Sequence, residues 1–406
     1  MAITYVLLAT LGFISILGPF GTDVYLPALP QMAAAMHTNA QGIQLTLSAF
    51  SIGMAVGQLL WGPISDRIGR KPLLVWAPVA MAVSCAASAL SNSLPVLLLA
   101  NALIGISACV GMICGRAMIS DLAADRNAAK GFSLMGLVTG LGPVLAPTIG
   151  TAVLGVSDWR GIYWFLGALA LFNSGLAAFN LRETLNPENR HKGSVLSLAM
   201  AGFGALKNRN FLIHIQFLWM GFAMLITYIA ASPFVLEKIF GFSPVLYTTD
   251  FAINGLGMVA MGAVSAGLMH KIGPSRQVLI GVVAQIVAMA LLVGAAAVQL
   301  VTDADKPALW PILLAFFIIP SSLSFTFGAA TALALRQVRH IAGTSLAIQG
   351  ALQFVIGSAA IATVGVAGDK SVVPLAGIWI IACVVLAVSF TAKRRNDALV
   401  FAHDHM

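Results

Sequence analysis

Two long stretches without a single Lys, Arg, Asp or Glu constrain this chain more than any other feature. They run from Val24 to Ser65 and from Pro72 to Gly115. Each stretch has room for two membrane-spanning helices of about 20 residues, and each is too long and too apolar to be the core of a soluble domain. The whole chain follows the same pattern, with 9% charged residues among 406 and a mean hydropathy of +0.94. We therefore expect a polytopic membrane protein.

The charge-free runs, taken as spans, predict twelve transmembrane helices. Seventeen of the twenty-two Lys and Arg residues fall on the side that holds both termini, and four fall on the other side. The positive-inside bias therefore predicts cytoplasmic termini, and it explains the net charge of +8 without nucleic-acid binding. The predicted spans are centred in residues 3–28, 42–62, 72–90, 95–119, 131–155, 161–181, 211–236, 247–269, 277–301, 308–335, 342–366 and 372–391.

A charged segment, Gly62–Lys71, separates the two charge-free stretches. The Gly-Pro pair that opens it is expected to end one helix, Gly69 to allow a tight turn, and Pro72 to begin the next helix in its first turn. The basic residues favour the cytoplasmic face, and Asp66 offers a counter-charge to them or to a neighbouring helix N-terminus. On charge alone, a solvated anchor loop explains the segment equally well.

The pattern G-x-x-x-D-R-x-G-R-K in this segment resembles the signature between helices 2 and 3 of the major facilitator superfamily. The resemblance implies a cytoplasmic gate, in which Asp66 and Arg67 hold the cytoplasmic side shut and Arg70 takes part. The fourth span ends in R-A-x-x-x-D, formed by Arg116 and Asp121, which is similar to the family pattern there. Arg116 either joins the gate with Asp66 or extends to the lipid headgroups.

Asp23 lies in the first span within the pattern D-x-Y-L-P-x-L-P. A carboxylate inside a span costs about 2.5–3.5 kcal/mol, which makes it a functional-site hypothesis. Burial favours its protonated form, so it could take up a proton on one side and release it on the other. The alternative is a hydrated, inert Asp at the outer helix end, close to Pro27. The pattern resembles the first helix of drug:proton antiporters of the bicyclomycin and chloramphenicol resistance (Bcr/CflA) family, which implies proton coupling by Asp23 and a drug-cavity role for Tyr25.

The fourth span departs from that family. Its members carry L-x-x-x-R-x-x-Q-G, whereas this chain has Asn101 and Ile104 at the Arg and Gln positions when aligned on Gly105. Asp23 and Asn101 are expected at similar depths in the outer half of the membrane. Without a cationic partner, protonation of Asp23 near neutral pH becomes more favourable. Asn101 either hydrogen-bonds between helices or contacts the substrate.

Small residues and prolines recur at helical spacing in the fifth span. Alone, such a stripe predicts only close packing between helices. The pattern G-x-G-P-x-x-A-P-x-x-G, however, resembles the fifth-helix signature of exporters in this superfamily, which its uptake members generally lack, and so it favours efflux. The assigned stripe residues are Gly140, Gly142, Pro143, Pro147 and Gly150.

The second half repeats the first weakly, because His270–Gly273 falls where Asp66–Gly69 stood, at an offset of 204 residues. The second copy lacks the Asp, so we expect the main gate in the first half. The Glu-Thr-Leu landmark at Glu183 resembles the family at the end of the sixth span. The predicted organisation is a bundle at 1–181, a cytoplasmic linker at 182–210, a bundle at 211–392 and a cytoplasmic tail at 393–406.

Further substrate-binding candidates lie in the second half. Tyr228 and Phe234 belong to the stretch Y-I-A-x-S-P-F, which again resembles the drug antiporters, and Asn254 is the third candidate. Such aromatic residues either bind flat ligands or simply pack and face lipid. Asp250, beside Asn254, is expected to be a hydrated residue at the outer interface. The four cysteines show no metal-ligand spacing, and no metal is predicted.

Together these patterns and resemblances predict an all-α membrane protein with twelve transmembrane helices in two pseudo-symmetric six-helix bundles. The implied function is proton-driven export of small amphipathic antibiotics of the phenicol or bicyclomycin type by alternating access. Protons are the coupling ion, no other cofactor is expected, and the protein is expected as a monomer in a bacterial inner membrane. The alternative is a proton-coupled uptake or export carrier for a metabolite. An enzyme is not predicted, because no catalytic or metal-site pattern is present.

Overall fold

Helices make up nearly all of this computed structural model, and the residues that it describes contain no β-strand. Eleven helices in this part of the chain are long and apolar enough to cross a membrane, and a shorter apolar helix lies in the fifth predicted span. These findings confirm the predicted all-α membrane fold. Gly140 and Pro143 lie outside the described residues, as does much of the predicted linker. The described residues are 5–122, 142, 144–186, 188, 190, 202–302, 306–338, 342–364 and 371–403.

The first half contains a broken first span followed by long helices. A 3₁₀ turn, Leu26–Ala28, interrupts the first span directly after Asp23, because Pro27 and Pro30 cannot donate backbone hydrogen bonds. Side-chain caps begin two of the long helices, since Asn39 accepts from Gly42 N and Asp158 accepts from Arg160 N. The helices are α1 (Tyr5–Ser15), α2 (Leu17–Asp23), α3 (Leu29–Ala35), α4 (Ala40–Ile68), α5 (Arg70–Ala89), α6 (Leu94–Leu122), α7 (Val144–Leu154) and α8 (Trp159–Asn180).

The second half contains six more spans. Asn208 caps the first of them by accepting from Phe211 N, and that helix widens into a π-helix after Pro233. The helices are α9 (Arg209–Pro233), the π-helix (Phe234–Ile239), α10 (Pro244–Met269), α11 (Lys271–Thr302), α12 (Leu309–Arg336), α13 (Ala342–Val364) and α14 (Val373–His403).

The charged segment differs from the sequence prediction at one end. Helix α4 continues through Pro63 to Ile68, so the prediction that the Gly-Pro pair ends this helix was wrong. Pro63 removes only its own backbone donor, and hydrogen bonding resumes beyond it. The helix ends where Gly69 adopts φ 108°, a conformation that glycine alone adopts easily, which confirms the tight turn there. Gly273, in the first turn of α11, adopts φ 73°, so both halves turn on a glycine at corresponding positions.

The two halves share one apolar core and are joined by hydrogen bonds near the side predicted to be outer. Gln44 Nε2 on α4 donates to the Ala230 carbonyl oxygen on α9 at 2.9 Å. Ser48 and Ser358 bond reciprocally, each hydroxyl donating to the other's carbonyl at 3.2 and 3.1 Å. These contacts close the predicted outer side in this conformation.

Candidate functional site

Asp23, the last residue of α2, is buried inside the protein. Asp23 is 3% exposed, and its Oδ1 atom has no hydrogen-bond partner in the described part of the chain. No ion pair among the described residues involves it. Such a position does not fit the alternative of a hydrated, inert Asp at a helix end. A carboxyl group buried without a partner favours its neutral, protonated form.

The glycine stripe of the fifth span packs directly on the segment that carries Asp23. A Cβ atom at Gly150 would overlap the carbonyl oxygen of Val24, and one at Gly142 would lie 2.6 Å from Pro19 Cβ. Pro147, between the two glycines, is buried. The small residues therefore let α7 approach the broken first span backbone to backbone, as the stripe predicted.

Tyr25 and Asn101 belong to one buried cluster in the first half. The Tyr25 ring stacks on Tyr163 of α8, with ring centroids 5.6 Å apart. Asn101 Nδ2 on α6 donates to the Tyr163 hydroxyl at 3.1 Å and to the Leu97 carbonyl at 2.8 Å. Tyr25, Asn101 and Tyr163 are all fully buried. Asn101 therefore hydrogen-bonds between helices, which was one of its two predicted roles.

Sequence reasoning did not select Tyr163. The available signal was Asn101 itself, because a buried amide in an apolar helix needs a partner on a neighbouring helix. Choosing Tyr163 as that partner requires knowing that α6 and α8 lie side by side at this depth.

A second cluster surrounds Tyr228 and Asn254 in the other half. The Tyr228 ring stacks on Phe251 at 5.8 Å and contacts Phe316 at 4.9 Å between centroids. Asn254 Nδ2 donates to the Tyr228 hydroxyl and to Asp250 Oδ2, both at 3.0 Å. Asp250 is partly buried and hydrogen-bonded, and its hydration at the outer interface stays a prediction.

The two clusters meet across the interface between the halves. The 3₁₀ turn that follows Asp23 packs against α9, which carries Tyr228, and against the continuous Pro244–Thr302 segment, which carries Asn254. The structure therefore brings the first-half candidates Asp23, Tyr25 and Asn101 to the same region as the second-half candidates.

Phe234 is not part of the ring contacts described above. It begins the π-helix and lines a small cavity of about 20 Å³ together with Gln44. That volume suits a single water molecule and not a drug. In this conformation Phe234 belongs to the closed outer side of the protein.

The predicted gate residues form a network at the opposite side, within the first half. Arg70 is 7% exposed, forms an ion pair with Asp66 and places its Nε 3.4 Å from Asp121 Oδ2. Its Nη1 donates to Ser65 Oγ at 2.6 Å, and Asp121 also accepts from Thr184 Oγ1 at 2.9 Å. The network ties together α4, α5, α6 and the segment after α8.

Two assigned gate residues are not part of this network. Arg67 and Arg116 are exposed, and neither forms an ion pair among the described residues. The structure thus pairs Asp66 with Arg70 and not with Arg67. A gate role for Arg67 and Arg116 stays a prediction.

Glu183 caps the N-terminus of α5 from the segment after α8. Its carboxylate accepts backbone N–H bonds from Arg70, Lys71, Thr184 and Leu185 at 2.9–3.1 Å. Partial burial opposes ionisation, but these donors together hold the pKa of Glu183 below its ordinary value of 4.5. A carboxylate is also favoured here by the helix dipole. Sequence reasoning treated Glu183 only as a landmark, because nothing local shows that its partner is a helix more than 100 residues earlier.

Comparison with known proteins gives the family. The model of the Major Facilitator Superfamily matches residues 11–362. The chain is similar to the uncharacterized MFS-type transporter YdgK of Bacillus subtilis, with 30% identity over 94% of this chain and 93% of the relative. It is 26% identical to the bicyclomycin resistance protein homolog of Haemophilus influenzae over 87% of each chain. It is 27% identical to the multidrug resistance protein MdtL of Escherichia coli over 96% of each chain.

Solved structures agree on the fold. A D-xylose–proton symporter superposes with a TM-score of 0.73 at 16% identity, over 95% of this chain and 96% of that chain. At this identity the likeness concerns the fold alone. The family match over most of the chain settles the class of protein, which is a transporter and not an enzyme. This multi-pass membrane protein belongs to the major facilitator superfamily.

Proposed function

We propose that this transporter is a proton-coupled multidrug exporter that moves small amphipathic antibiotics of the phenicol or bicyclomycin type by alternating access. The observation that carries the proposal is the buried Asp23 carboxyl group, which lacks a partner for Oδ1 and precedes the turn that packs on α9, the helix of Tyr228. Relatives named for bicyclomycin and multidrug resistance support the substrate class. The close packing of α7 on the Asp23 segment agrees with the exporter signature of the fifth span.

The coupling needs one rule, which is that a proton on Asp23 and a bound drug favour opposite-facing states. The two bundles, 1–181 and 211–392, would move against each other around the region of Tyr25, Asn101, Tyr228 and Asn254. We place both termini in the cytoplasm of a bacterium, with the transporter acting as a monomer in the inner membrane. The 182–210 linker would connect the bundles on the cytoplasmic side.

We assign the network of Arg70, Asp66 and Asp121 to the cytoplasmic gate, together with Arg67 and Arg116. The network is internal to the first half, so it would hold the ends of α4, α5 and α6 as one rigid unit during the movement. The exposed Arg67 remains available to a carbonyl or carboxylate that approaches in another state. In this conformation, hydrogen bonds between the halves hold the outer side closed.

A carrier for a metabolite is the second candidate. This candidate is favoured by Asn101, which occupies the position of the Arg of the drug antiporters. Its side chain is neutral and donates a hydrogen bond to Tyr163, so it provides no positive charge for Asp23. Such a carrier would keep the fold and the proton site but would recognise a polar solute.

Sealed vesicles with an imposed pH gradient test the proposal. Chloramphenicol and the lipophilic cation tetraphenylphosphonium are added separately, and proton movement across the membrane is followed with a pH-sensitive dye. Proton movement on addition of either compound is the expected result, and the compound that acts distinguishes neutral from cationic substrates. Vesicles without the protein are the control. No response to either compound, from protein shown to be folded, would contradict drug antiport.

A further inference from the structure

A second carboxyl group, Asp250, lies in the other half of the protein, in the cluster of Tyr228 and Asn254. It is on α10, partly buried, and its Oδ2 accepts from Asn254 Nδ2 at 3.0 Å. The same nitrogen donates its other hydrogen to the hydroxyl oxygen of Tyr228. Asn254 and Tyr228 are each 2% exposed, so the chain of contacts leads from Asp250 into the protein interior.

Asp250 has no cationic partner in the described part of the chain, because none of the ion pairs there includes it. The groups that face it or its neighbours are Tyr228 of α9, Tyr247 of its own helix, and Glu237 and Lys238 of the π-helix. Ionised Asp250 is therefore stabilised by hydrogen bonding and not by an ion pair. Proton binding is the means by which such a group is neutralised.

The position of Asp250 is also linked to the movement between the halves. Thr248, two residues earlier on α10, shares a hydrogen bond with Thr151 of α7 across the interface. This contact lies on the predicted outer side, where alternating access requires the halves to separate. Opening that side would therefore expose the end of α10 that carries Asp250 to outside water.

We propose that Asp250 is a second proton-binding carboxylate of the transport cycle. It takes a proton from the outer side when that side opens, keeps it while the outer side closes around it, and releases it toward the cytoplasmic side when drug binds. Its charge also sets the position of Tyr228, because ionised Asp250 holds Asn254 more strongly than the protonated acid does. This inference rests on the proposed antiport and adds a second coupled proton to it.

Proton release from the purified transporter tests the inference. The full chain is placed in weakly buffered detergent solution with a pH indicator, chloramphenicol is added, and the protons released per protein are counted for wild type, Asp250→Asn and Asp23→Asn. Each variant is expected to release about half as many protons as wild type, because one of two linked carboxyl groups is lost. Asp250→Glu is expected to restore the release. Asp158→Asn is the matched control, because Asp158 is an exposed helix cap with one long, 4.0 Å ion pair to Arg160, and Asn caps equally well.

The outcomes separate the two claims. Asp250→Asn keeps an oxygen that accepts from Asn254, so a purely structural role of Asp250 would leave the proton count unchanged. Wild-type release by Asp250→Asn, with reduced release by Asp23→Asn, would overturn the inference and leave antiport intact. No release from wild type with chloramphenicol or tetraphenylphosphonium would overturn both. Asp250→Ser provides a second neutral side chain if Asp250→Asn does not fold.

Discussion

Asp23 in the interior and Asp66 at the predicted cytoplasmic side are both carboxylates in an apolar protein, yet their surroundings are opposite. Asp66 forms an ion pair with Arg70, whose guanidinium is also shared with Asp121. Asp23 has no ion pair among the described residues, and its Oδ1 atom has no hydrogen-bond partner there. A carboxylate in an ion pair fixes structure, whereas an unpaired buried one can exchange a proton.

The difference originates in the sequence around each residue. Asp66 and Arg70 flank the turn at Gly69, four positions apart, so their side chains meet whenever that turn forms. Asp23 precedes a stretch without any charged residue. In the fourth span, this chain has Asn101 at the position where the drug antiporter family that it resembles has Arg. The Asn101 amide donates a hydrogen bond to Tyr163. No cation of the described residues is left to hold Asp23 ionised.

The largest expected effect is that of Asp23→Asn, which we predict abolishes drug accumulation against a gradient. The amide cannot bind and release a proton, so transport loses its energy source while exchange of drug across the membrane continues. Chloramphenicol efflux from energised vesicles and exchange without a gradient measure the two activities. Full active export by the variant, at normal expression, would remove the contrast between the two aspartates. Asp66→Asn is the comparison, and it is expected to retain part of the coupled transport.

Arg70→Met should have the next largest effect, this time on stability. Losing the guanidinium leaves Asp66 and Asp121 without their common partner, so we expect a loss of about 2–3 kcal/mol. Arg67→Met is the matched control, because Arg67 is exposed, has no ion pair and should change stability by less than about 0.5 kcal/mol. Thermal unfolding in detergent measures both. Equal effects would mean that the network does not stabilise this end of the bundle.

The two glycine turns provide a finer test. Gly69→Ala should cost about 1–3 kcal/mol because of its positive φ, and the added Cβ would also overlap the Glu183 carboxylate. Gly273→Ala carries the same backbone strain, but no atom lies within 4 Å of its Cβ position. We therefore expect a larger drop in melting temperature for Gly69→Ala than for Gly273→Ala. The reverse order would show that the first turn is not held by its surroundings.

The smallest effect expected is that of Glu183→Gln, and it should depend on pH. The folded pKa of Glu183 lies below the ordinary value of 4.5, so its contribution to stability is fully present above that pH. The contribution disappears as the pH falls through the lowered pKa. Because Glu183 is exposed and screened by solvent, we expect Glu183→Gln to lose less than about 1 kcal/mol at neutral pH, with the difference from wild type shrinking in acid. A difference that stays constant from pH 7 to strongly acidic conditions would argue against the charged cap; Glu188→Gln is the exposed control.

The sequence predicted the fold and the buried Asp23, but it did not predict which residues of other helices complete the site. Charge-free stretches follow directly from membrane burial, so the spans and the buried position of Asp23 could be inferred. Pro63 showed the limit of local rules, because a proline near a helix end did not stop the helix before Gly69. Tyr163 and Asp250 were missed as site residues for a different reason. Their importance comes from hydrogen bonds to Asn101 and Asn254, and which faces of distant helices meet is decided by packing.

The central claim is that Asp23 carries a proton when it is buried without a partner and gives it up when drug binds. Infrared difference spectroscopy of the reconstituted transporter, recorded on adding chloramphenicol, reports this directly through the carbonyl band of protonated carboxyl groups. We predict a loss of intensity in that band for wild type, and a clearly smaller loss for Asp23→Asn with normal folding. An identical band change in wild type and Asp23→Asn would contradict the account, because the exchanging proton would then belong to another group.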